Sequence, residues 1–254
     1  MFCVVSTIHF LFVLLYVCNA KKTIHQSNKI ISQNWHKYDK ILLYHARKSG
    51  GTSLRFYLQP LAQQKKLEYE VIEGVTMSQD RVKKENELWV TSIRHPIPRV
   101  LSSYQFEGRW AQYENKRLTN NSIPLNKWLP KIHKLDNKKT SRMYACVSNC
   151  FTKWFGGWDK DHYDLDQVYT FATERLNQFD LIIINELMGD PKYVHQIEQI
   201  FNSTLHIGHR NAAGGWSGGH ERYKVSYKSV EDIADLNYYD MKLYAQYSYA
   251  HEYR

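Results

Sequence analysis

The sequence predicts an α/β fold in three layers, a central parallel sheet flanked by helices. Short apolar runs bounded by polar residues alternate with helix-compatible stretches from about residue 40 onward. That alternation argues for a parallel sheet covered on both faces. A hydrophobic fraction of 43% in 254 residues leaves room for a sizeable core, and no internal repeat or low-complexity segment interrupts it.

Each element follows from its own pattern. Residues 41–45 are a short apolar run and read as a buried strand. Residues 52–64 read as a helix, because Leu54, Tyr57, Leu58 and Leu61 fall on one face. Residues 67–72 and 88–93 read as further strands, the latter followed by a helix over 98–106. A helix over 166–177 precedes the clearest buried strand, 181–184. Pro191 opens a helix to residue 201 at a first-turn position that tolerates proline. Residues 229–248 read as one long, Tyr-rich helix. Residues 21–38 form a polar lead-in to a single domain spanning 39–254. Residues 109–164 are polar and bear tryptophans without a strong strand, so they read as an insertion or helical cap.

The N-terminus places the chain in a compartment. Residues 1–20, MFCVVSTIHFLFVLLYVCNA, carry no acidic or basic side chain, have an apolar centre and end in small residues. They read as a secretory signal peptide cut after Ala20. The alternative is an uncleaved signal anchor, which would tie the protein to a membrane. It is disfavoured because Lys21 and Lys22 follow the apolar run instead of preceding it. Either way the domain enters the secretory pathway, in the Golgi lumen or beyond the cell. Cleavage leaves Cys146 and Cys150 as an even pair in an oxidising compartment, which predicts a disulfide. Two cysteines on one straight helix fit that bond poorly, so a bend is expected there. Two cysteines also do not complete a zinc site, and no metal is expected. Asn120 and Asn202 head glycosylation triplets. The net charge of +9 points to an anionic partner.

The stretch YHARKSGGTSLRFYL, residues 44–58, carries the chemistry. It sits at the carboxyl end of a predicted strand and the head of a helix, where parallel sheets bind ligands. Gly50 and Gly51 let backbone N–H groups approach a ligand, and Thr52 and Ser53 add hydroxyls. Lys48 adds a charge and the helix start adds a positive dipole end. Together they read as a phosphate cradle. The nucleoside-triphosphatase order G-x-x-x-x-G-K-[ST] is excluded, because Lys48 precedes the glycines. That order and the signal peptide also argue against a kinase-like phosphotransferase. A second strand-to-helix turn, TSIRHPIPRVLSSYQFEG over 91–108, presents Arg94 and Ser102 for another anionic group. Arg99 either joins them or sits solvated on the helix.

These two stretches resemble the phosphate motifs of Golgi carbohydrate sulfotransferases, such as the heparan sulfate 2-O- and 6-O-enzymes. HARKSGGTSL is similar to their H-x-P-K-x-G-G-T-S loop, and RHPIPRVLSSY to their R-x-P-x-x-R-x-x-S-x-Y motif. NKKTSRMYAC, FDLIIINELM and LNYYDMKLYAQ resemble later family segments, so the likeness covers most of residues 40–248. It implies a P-loop-like fold and 3′-phosphoadenosine 5′-phosphosulfate as co-substrate. Arg47, Lys48, Ser49, Gly50, Gly51, Thr52 and Ser53 would hold the 5′-phosphosulfate, and Arg94 with Ser102 the 3′-phosphate. Position 47 departs from the family's usual Pro, and His95 from its commoner Asp or Lys.

The resemblance also implies a mechanism. Lys48 would stabilise charge on the leaving phosphate, and a general base would take the acceptor's proton. In the 2-O-enzymes a histidine after the second strand resembles that base. No His lies between residues 46 and 94 here, so Glu73, ending the second strand, is the expected base, with His95 and Glu107 in reserve. The expected acceptor is a hydroxyl on an anionic carbohydrate, with Trp110, Trp128, Trp154 and Trp158 as sugar platforms, and no nucleic acid is expected. The Gly-rich stretch 211–224 reads as a loop closing over the site or as a plain connector. Protein-tyrosine sulfation, or a glycan-binding pseudoenzyme, are the alternatives.

Overall fold

The computed structural model describes residues 31, 34–73, 76–78, 80–110, 124–136, 146–157, 164–203, 205–207 and 225–252. Four parallel strands form its sheet: β1 (Lys40–His45), β2 (Glu68–Glu73), β3 (Glu87–Ile93) and β4 (Leu181–Ile184), in the order β2-β1-β3-β4. Helices flank it: α1 (Gly51–Lys65), α2 (Pro96–Trp110), α3 (Leu125–Asp136), α4 (Cys150–Phe155), α5 (Leu165–Leu176), α6 (Pro191–Ile200), α7 (Tyr227–Leu236) and α8 (Tyr238–Glu252). The α/β class and the parallel sheet stand as expected from the alternation of runs.

Burial explains the strand patterns. Every residue of β3 is buried, as is all of β1 after Lys40; β1 opens on the apolar run 41–43, and β3 buries Glu87, Thr91 and Ser92 beside its apolar residues. β2 lies at an edge, with Glu68 and Glu73 exposed at its ends and the residues between them partly buried. The core runs from Leu42, Leu43 and Trp89 to Phe151, Phe155 and Phe201. A smaller core joins Val100 and Tyr104 of α2 to Trp128 and Leu129 of α3 and Ile233 of α7.

Two expectations are corrected. The C-terminal helix is two helices, α7 and α8, broken at Asn237. Asn237 leaves the helical conformation because its side chain serves distant partners: Nδ2 donates to Val147 O at 2.8 Å, and Oδ1 accepts from Asn149 N at 3.1 Å. Within the stretch 109–164, α4 packs Phe151, Trp154 and Phe155 into the main core. Two of the four tryptophans are likewise lost as exposed platforms: Trp128 and Trp154 are 7% and 2% exposed. The side chains of Trp110 and Trp158 lie outside the described residues, as do Asn120 and the Gly-rich stretch 211–224. Asn202 is exposed just beyond α6.

Cys146 and Cys150 form the expected disulfide, with Cα atoms 5.2 Å apart. The bend between them is real. Cys146 and Asn149 adopt left-handed φ values of 50° and 46°, so that only Cys150 belongs to α4.

Candidate active site

The sheet order creates the crevice. From β1 the chain crosses to β2 on one side, then returns past β1 to β3 on the other. Connections therefore leave β1 and β3 in opposite directions, and a cleft opens at the carboxyl ends of these two strands. The loop after β1 and the residues after β3 both lie there.

The β1 loop is held by its own backbone and by β3. Lys48 and Gly50 take left-handed φ values of 63° and 91°. Ser49 is fully buried, and its hydroxyl bonds Ala46 O at 2.7 Å and Ser92 Oγ at 3.0 Å. Its amide donates to Ala46 O as well, so Ser49 shapes the loop with the groups expected to grip a phosphate. Arg47, Lys48, Gly50, Thr52 and Ser53 are half-buried around the head of α1. No side chain occupies the N-cap position, which is Gly50, so the first amides of α1 face the cleft end with the helix dipole behind them. Both glycines are obligatory on packing grounds. A Cβ on Gly50 would strike the Asn185 side chain, and one on Gly51 would strike the His45 ring.

The second motif meets the first. Arg94 Nη1 donates to Lys48 O at 3.4 Å, and its Nε lies 3.8 Å from Glu186 Oε1. Glu186 follows β4 and organises this corner. Its Oε1 accepts from His95 N at 3.0 Å and its Oε2 from Tyr244 Oη at 3.2 Å. Burial pushes the Glu186 carboxyl up and the Arg94 guanidinium down from their ordinary values, and each counters the shift in the other. Ser102 is half-buried on α2. Arg99 is neither a ligand group nor solvated. It is wholly buried, donating to Cys146 O at 2.6 Å and Asn237 Oδ1 at 3.2 Å.

A third group closes the crevice beside β2. His45 and Glu73 are register partners across the β1–β2 ladder, and His45 Nδ1 lies 3.0 Å from Glu73 Oε1. Arg55, from the second turn of α1, donates to Glu73 Oε2. The His45 bond, helped by Arg55 against the opposing effect of burial, holds the Glu73 carboxyl down to about 2. His95 differs. Burial pushes its imidazole down, and Nδ1 accepts from Ile97 N at 3.3 Å. A neutral His95 therefore carries its proton on Nε2, and its ring meets Tyr244 edge-on. The Glu107 side chain lies outside the described residues.

Of the residues singled out in the sequence, the loop, Arg94 and Glu73 lie around this crevice, and His45, Arg55 and Glu186, given no role there, lie beside them. His45 stood inside the quoted loop motif, and Glu186 inside FDLIIINELM, without a role. Comparison with protein-family models and with curated proteins returns no match.

Proposed function

We propose that this chain is a sulfotransferase that moves a sulfuryl group from 3′-phosphoadenosine 5′-phosphosulfate to a carbohydrate hydroxyl in the secretory pathway. One observation carries the reading. The two anion-binding stretches, one after each of two adjacent parallel strands, touch through Arg94 and the Lys48 carbonyl. A donor with phosphates at both ends of its ribose needs two such sites side by side. A mononucleotide needs only one.

In this reading the loop amides, Thr52 and Ser53 hold the 5′ end on a P-loop-like cradle, and Arg94 with Ser102 holds the 3′-phosphate. Ser49 keeps the cradle in shape. Sulfuryl transfer, like phosphoryl transfer, passes through a loose in-line transition state, so positioning and charge stabilisation do most of the work. Lys48 stabilises the charge that grows on the departing phosphate. The acceptor's proton leaves at the cluster of His45, Glu73 and Arg55. The net charge of +9 favours an anionic glycan chain as acceptor.

Calorimetry tests the donor site without an acceptor. Adenosine 3′,5′-bisphosphate is expected to bind more tightly than adenosine 5′-monophosphate, by about 1.5–3 kcal/mol for charge-assisted contacts to the 3′-phosphate. Equal affinities would overturn the reading. Labelled donor offered to glycans and tyrosine peptides then identifies the acceptor class.

A further inference from the structure

The proposed reaction releases a proton, and the ends of β1 and β2 hold one imidazole and one carboxylate in contact. Both Glu73 oxygens are occupied, Oε1 by His45 Nδ1 at 3.0 Å and Oε2 by Arg55. Two lone pairs facing each other at that distance repel, so the contact places a proton on Nδ1. A neutral His45 then has its free lone pair on Nε2. That edge of the ring lies at the head of α1, because a Cβ on Gly51 would fall on Cδ2 and Nε2. The free nitrogen therefore faces the start of the anion-binding helix and not the sheet edge. Glu73 itself is a weak acceptor, being held down to about 2 by His45 and Arg55.

We propose, on the sulfotransferase reading, that His45 Nε2 is the proton acceptor of the transfer and that Glu73 is the positioning residue that fixes its tautomer. The acceptor oxygen bonds to sulfur as the bond between sulfur and the 5′-phosphate oxygen breaks. The leaving bisphosphate keeps that electron pair, and the hydroxyl proton passes to Nε2. The resulting imidazolium is paired with the Glu73 carboxylate, the arrangement by which a carboxylate supports a histidine base. The charged groups in contact with His45 among the described residues are Glu73 of β2 and Arg55 of α1, whose Nη2 lies 3.5 Å from Nδ1.

Two measurements on the full chain test this. Long-range ¹⁵N–¹H NMR reads the tautomer with no substrate present, the His45 signals being assigned by their loss in His45→Gln. Neutral His45 is expected to carry its proton on Nδ1 and to shift toward the Nε2–H form in Glu73→Ala. An Nε2–H form in the unaltered protein overturns the proposal. In turnover, His45→Gln is expected to slow transfer by about 10²–10⁴-fold with bisphosphate affinity unchanged. Near-normal turnover in His45→Gln overturns the proposal and leaves the sulfotransferase reading standing. Failure of the unaltered protein to bind the bisphosphate removes that reading instead, and this assignment with it.

Discussion

Arg99 of α2 and Asp240 of α8 face each other at 3.9 Å with neither side chain exposed to solvent. Asp240 also accepts from Phe151 N at 3.0 Å and Thr152 N at 2.8 Å, so it satisfies the first amides of α4. The pair ties the helix that follows β3 to the disulfide segment and to the C-terminal helix. Arg99→Ala should therefore destabilise the fold by about 3–5 kcal/mol in urea unfolding, because it takes the facing cation from a buried carboxylate and a donor from Cys146 O and Asn237 Oδ1. An unchanged midpoint with weakened bisphosphate binding would return Arg99 to the ligand.

Ser49→Ala removes the hydroxyl that joins Ala46 O and Ser92 Oγ. Leaving these buried groups short of a partner is expected to cost about 1–3 kcal/mol of stability. Since the loop is held by this link, bisphosphate affinity should fall as well. Calorimetry and denaturant unfolding on the same sample separate the two effects, and wild-type values in both would contradict the role given to Ser49.

Gly51→Ala is expected to disrupt the site even though alanine favours helices. Its Cβ would meet the His45 ring, which is packed under the head of α1 and only 6% exposed. The measurement is thermal unfolding of Gly51→Ala beside the double variant Gly51→Ala/His45→Ala. The second change should recover stability by removing the clash, and no recovery would contradict the packing argument.

Glu73 gives a pH dependence with a definite sign. Its carboxyl is held at about 2, below the ordinary 4.5, so the folded state keeps the charged form better than the unfolded chain does. Its contribution is therefore present above about pH 4.5 and is lost as pH falls toward about 2. Buried Glu186 and Asp180 are shifted up and act in the opposite sense, losing stability as pH rises. Subtracting the acid-unfolding profile of Glu73→Gln from that of the unaltered protein cancels these, and the difference should shrink across that window.

Reducing the Cys146–Cys150 bond should lower stability by about 2 kcal/mol, the modest loop-closure value for so short a ring. Alkylation under denaturing conditions without reductant should label neither cysteine. Two labelled thiols would refute the bond.

Local chemistry alone determined several features. Strands covered on both faces favour apolar runs, so β1, β4 and residues 88–90 of β3 were legible. A tight turn that packs on neighbouring side chains needs glycines, so the loop at residues 50–51 was legible too. What the sequence could not contain is the partner of each polar group. Arg99 is a charge with no local mark of burial, and only Cys146, Asn237 and Asp240, brought in from distant segments, make its burial tolerable. The break at Asn237 has the same cause, because a helix-compatible stretch yields where one side chain gains partners on Val147 and Asn149. Trp154 looked available for sugars until α4 turned it inward. His45 and Glu73 became a pair only through the parallel register of β1 with β2. Residue identity thus fixed which elements form and which chemistry is on hand, while register and long-range packing decided which charges meet.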